Sequence, residues 1–89
     1  MQPVSSVAAF VALYVERRAD DPIAAAILEG LDAEARLAVG AAALPPDRRG
    51  AWLRERSGTE WSAAWLAHVE QRAYVALRRD LQRRGLWRA

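Results

Sequence analysis

Apolar positions recur at three- and four-residue intervals along most of this chain, the spacing of helices that bury one face. Val7, Phe10, Val11, Tyr14 and Val15 form the first such stripe. Ser5 or Ser6 stands ready to accept a free amide at its start, and Glu16–Arg17–Arg18 gives it a polar exit. Asp21 followed by Pro22 reads as an N-cap and first helical residue, because proline loses nothing where the amide would be unpaired. A second short helix follows, with Ile23, Ile27, Leu28 and Leu31 expected on its buried stripe and Gly30 near its end.

Asp32 offers a cap for a third helix over residues 33–44, with Leu37, Ala41 and Leu44 expected to face inward. Gly40 weakens its interior by about 1 kcal/mol relative to alanine, which points to close packing against a neighbouring helix. Pro45–Pro46 breaks the run. A fourth helix from 46 to 56 is anchored by Trp52 and Leu53, although Gly50 weakens its continuity.

The fifth helix is predicted over Glu60 to Arg84, capped by Thr59 and ended by Gly85 in a Schellman turn with Leu86. At 1.5 Å per residue that is roughly 38 Å, long for a chain of this size. With about 100° per residue, Trp61 and Trp65 fall about 40° apart on one face. The apolar series then drifts round the helix through Leu66, Val69, Ala73, Leu77 and Leu81, with Tyr74 and Val75 off the starting face. The fold class predicted is all-α: a compact bundle of four short helices packed on or beside one long C-terminal helix.

Length and composition agree with one helical domain over 1–89, with residues 85–89 forming the helix terminus and a short basic tail. Apolar residues make up 53% and charged residues 27%, which argues against intrinsic disorder. Twenty alanines favour helix but supply little area, so Phe10, Tyr14, Trp52, Trp61 and Trp65 must carry much of the burial. The Val7–Val15 stretch is too short to span a bilayer, and no basic segment of a secretory leader precedes it. Without cysteine there is no disulfide scaffold or thiolate metal site, and the cytoplasm is the expected location.

Net charge is only +2, but it is unevenly spread: residues 1–45 carry 3 Arg against 6 acids, and residues 46–89 carry 10 Arg against 5. This polarity suits an acidic partner or head-to-tail self-contact. His68 is the lone histidine, and neither it nor Glu70 makes a metal or acid–base constellation, so it reads as a surface or boundary residue. The wide spacing of the glycines makes no phosphate loop. No catalytic role and no cofactor or metal is predicted.

The candidate interaction residues are Trp61, Trp65, Tyr74, Arg78, Arg79, Arg83, Arg84, Trp87 and Arg88. Trp61 and Trp65 suit either the core around the start of the helix or an exposed anchor for a partner. Trp87, beyond Gly85, either folds back over the last turn or docks elsewhere. The arginines suit a solvated helix end, where cations complement the dipole, an acidic protein surface, or phosphates.

The leading expectation is a non-catalytic helical protein–protein interaction module, an adaptor, chaperone-like partner or small subunit of an assembly. Its partner is acidic or a second copy. The alternative is a nucleic-acid-associated protein using Arg78, Arg79, Arg83, Arg84 and Arg88, which a net charge of +2 and the lack of a helix-turn-helix pattern disfavour. A membrane-surface role is disfavoured because the apolar stripe is needed in a core.

Overall fold

A computed structural model describes residues 1–14 and 20–88, and within them the chain forms five helices. These are α1 (Val7–Tyr14), α2 (Pro22–Glu29), α3 (Ala33–Ala42), α4 (Pro46–Ser57) and α5 (Ala63–Arg83). Short polar side chains start most of them, satisfying amides that have no carbonyl partner within the helix. Ser6 Oγ accepts from the Ala9 amide at 3.0 Å. Asp21 accepts from Ile23 and Ala24 at 3.0 and 3.1 Å, with Pro22 in the first turn as the sequence predicts. Asp32 accepts from Ala35 at 2.8 Å. Val15 and the polar exit Glu16–Arg17–Arg18 lie outside the described residues.

The axis of the fold is α5. Val69, Ala73, Leu77 and Leu81 are all buried along its inner stripe, the series expected from their spacing, while Leu66 is half-buried. Against the last three pack Val7, Phe10 and Val11 of α1, Ala24, Ile27 and Leu28 of α2, and Ala35 and Val39 of α3, with Val4 and Leu31 closing the cluster. Fully burying a side chain such as Ile27 or Leu77 contributes about 1.5–3 kcal/mol. Among the helix pairs α3 shares the most extensive contact with α5, and α4 lies on α3. Ala38, Ala41 and Leu53 are buried outside the main cluster.

Several expectations need correction. Thr59 is not the cap of α5: Ser62 is, its Oγ accepting from the Trp65 amide at 3.0 Å. The helix therefore starts three residues later and Trp61 precedes it, so Trp61 and Trp65 do not share a helical face. At 21 residues α5 is roughly 32 Å long, and its inner stripe is covered from Val69 to Leu81. On α3 the buried positions are Ala35, Ala38, Val39 and Ala41, while Leu37 is only half-buried, as is Leu44, which lies beyond the helix end. The inner face of α3 is centred on Ala35, Ala38 and Val39, and Leu37 lies off that face. Ile23 is exposed, at 41%, because the inner face of α2 is centred on Ala24, Ile27 and Leu28. Gly50 does not interrupt α4, which runs continuously to Ser57.

Both ends of the described chain are tied down. Gly85, at φ 74°, takes the left-handed position after α5. Its amide donates to Gln82 O at 3.1 Å, and the Leu86 amide donates to Leu81 O at 2.8 Å, the paired bonds of a Schellman ending. The following residues lie alongside the N-terminal segment. The Val4 amide donates to Leu86 O at 2.9 Å, and the Arg88 amide donates to Val4 O at 2.7 Å, forming a single parallel bridge between Val4 and Trp87.

Among the described residues no helix is long and apolar enough to cross a membrane.

Candidate interaction surface

Ser62 caps the first turn of α5, and Trp65 stands one turn before Val69, where the buried stripe begins. Trp65 keeps 44% of its surface exposed, and its ring lies 5.5 Å from that of His68, tilted by 34°. At helical spacing beyond it come His68, Arg72, Val75, Arg79 and Arg83, all exposed. Val75 retains 43% exposure, so two large apolar side chains stand on one face with guanidinium groups between and beyond them.

The other predicted residues divide by environment. Trp61 is half-buried and turned back on α4: its indole N–H donates to Ser57 Oγ at 3.2 Å, and the same hydroxyl donates to Leu53 O at 2.7 Å. Tyr74 is half-buried against the core. Burial, followed by the nearby Glu70 carboxylate, pushes its phenol above the ordinary value of 10.0, with Arg49 opposing. Trp87 folds back as the more compact of its two alternatives. It packs on the core, under the Arg78 guanidinium, which lies 5.0 Å from its ring centroid in cation–π geometry.

Arg83 and Arg84 share one carboxylate, Asp80, at 2.7 and 3.2 Å. Burial alone raises an acid, but hydrogen bonds from these two guanidiniums outweigh it and hold Asp80 below its ordinary 3.8. Arg72 reaches Asp32, the cap of α3, at 3.5 Å. Arg79 and Arg88 are exposed and make no ion pair among the described residues. The basic end of α5 is therefore partly neutralised within the chain. No group of three His, Cys, Asp or Glu side chains comes together in metal-binding geometry among the described residues.

Two arrangements have no readable signal in the chain. Arg49, in the second turn of α4, reaches across to the end of α3. Its Nε donates to Ala41 O and Leu44 O at 3.0 and 3.1 Å, and Nη2 donates to Ala42 O at 3.2 Å. A positive group on the carbonyl end of a helix satisfies orphan acceptors and complements the dipole. The second is an open groove of about 530 Å³ bordered by α2, α3 and α4, lined by Leu28, Leu37, Val39, Trp52, Arg36 and Arg56 among others. Its floor depends on Gly40, as expected of a close-packing glycine: a Cβ there would stand 2.6 Å from Trp52 Cη2.

The chain matches no known protein family, no curated protein and no solved structure at a significant level.

Proposed function

We propose that this protein is a non-catalytic helical interaction module, an adaptor or small assembly subunit that docks a protein partner on the outer face of α5. The observation that carries this reading is Trp65, left 44% exposed on α5 with the His68 ring 5.5 Å from its own. A tryptophan so placed leaves roughly 100 Å² in water. Covering that area is worth about 2–3 kcal/mol at the usual transfer coefficient, enough for an interface anchor. Val75 extends the apolar contact, and Arg79, unpaired among the described residues, supplies a charged rim that suits an acidic partner. The nucleic-acid alternative draws less support, because Arg83 and Arg84 already share Asp80. A cytoplasmic location is part of the same proposal.

Native mass measurement on protein purified gently from its source cell tests the reading. A defined complex, lost with Trp65→Ala and weakened by Arg79→Glu, is the expected outcome. A monomer with no co-purifying protein, or a complex indifferent to Trp65→Ala, overturns it.

A further inference from the structure

The groove beside α3 and α4 has a polarity of its own. Residues 43–45 are a tight connection, so α4 returns along α3 as the second arm of a helical hairpin. Gly40 and Trp52 meet across that hairpin. Arg36 lies one turn before Gly40 on α3, Arg56 lies one turn after Trp52 on α4, and both border the groove. The apolar part is formed by Leu28, Leu37, Val39 and the Trp52 ring. Arg56 is held over that ring, 4.7 Å from its centroid. Among the described residues no acidic side chain lines the groove, and neither Arg36 nor Arg56 is in an ion pair.

We infer that this groove binds an acidic amphipathic segment of a partner protein. A bulky apolar side chain seats among Leu28, Leu37 and Val39 beside Trp52, and carboxylates on the same segment meet Arg36 and, over the Trp52 ring, Arg56. Charge complementarity selects the occupant: two guanidiniums beside an apolar floor favour a ligand with an apolar body and paired carboxylate acceptors. Openness to solvent selects a peptide over a free small molecule. A small molecule here keeps one flank in water, whereas a side chain presented by a helix is covered on that flank by its own backbone. The inference deepens the interaction-module reading but uses a different face, and its test does not involve Trp65.

The probes are fluorescein-labelled helical peptides with one Leu or Phe and glutamates three and four residues beyond it, compared with the same peptides carrying glutamine. Fluorescence anisotropy should show saturable binding of the glutamate peptides, at least tenfold weaker for the glutamine versions. Arg36→Gln/Arg56→Gln should remove the difference. Gln71→Glu/Gln82→Glu changes net charge by the same amount on exposed positions of α5 and should leave binding within threefold. Circular dichroism confirms that each variant is folded. Equal binding of the two peptide sets, or binding that survives Arg36→Gln/Arg56→Gln, overturns the inference. So does dodecanoate binding in the groove while the peptides do not bind, or a homodimer that Arg36→Gln/Arg56→Gln dissolves. The peptide assay reads the groove even if no partner is found at Trp65, so the two proposals fail separately.

Discussion

Replacing Gly40 by alanine sets two effects of similar size against each other. In the interior of α3, alanine is better than glycine by about 1 kcal/mol, because glycine loses more backbone entropy on becoming helical. In this fold, however, the new methyl would lie 2.6 Å from Trp52 Cη2 and 3.3 and 3.4 Å from its Cζ2 and Cζ3. Carbon–carbon contacts are comfortable at about 3.5–4.0 Å, so the indole edge must retreat by about 1 Å. The ring is stiff, with two side-chain torsions, and Arg56 lies over it. Forcing such a shift costs about 1–3 kcal/mol.

The packing cost is therefore the larger, and Gly40→Ala should destabilise the protein by about 1 kcal/mol, lowering Tm by about 4–8 °C. The sign should reverse once the ring is gone: in a Trp52→Ala background, Gly40→Ala should stabilise by about 1 kcal/mol. A double-mutant cycle by urea denaturation measures the difference as a coupling of about 2 kcal/mol. If Gly40→Ala raises stability equally in both backgrounds, the close contact does not govern this position and the argument fails.

Arg49→Met should destabilise by about 1–3 kcal/mol, since it strips a charged donor from the Ala41, Ala42 and Leu44 carbonyls; urea denaturation checks this, and Arg49→Lys should recover only part. Trp65 and Trp87 should separate cleanly: Trp87→Ala should cost about 2 kcal/mol through lost core packing, while Trp65→Ala should change stability by less than about 1 kcal/mol yet abolish partner binding. Asp80 contributes stability as an anion held below its ordinary value, so that contribution is present above about pH 4 and is lost as pH falls through its lowered value. Asp80→Asn should thus be less stable than wild type at neutral pH, and the two should converge in pH-dependent thermal melts as pH falls through the lowered value of Asp80.

Those elements of the fold that follow from neighbours in the chain were legible in the sequence. The Asp21–Pro22 start of α2, the Asp32 cap, the Gly85 ending and the Val69–Ala73–Leu77–Leu81 stripe each depend on residues within one or two helical turns. Propensity, capping and periodicity act at that range, so local spacing is enough to read them. Where two caps compete locally, as Thr59 and Ser62 do, the deciding contact comes from the preceding helix. Ser57 Oγ bonds Thr59 and the Trp61 indole, so the helix begins only after them.

Tertiary structure alone decided which face each tryptophan shows and which arginines remain available. Trp65 and Trp87 are the same residue type, but one is left on an outer helix face and the other is clasped between Arg78 and the core. Arg49 becomes a cap for α3 only because the hairpin turns it back, and Arg36 and Arg56 border one groove only because α3 and α4 run side by side. These arrangements join residues whose relation is set by how whole helices pack, and no local periodicity carries that information. The chain by itself determined a long amphipathic C-terminal helix among shorter ones. Packing decided that Trp65 stays exposed at its start and that its basic end is partly answered from within.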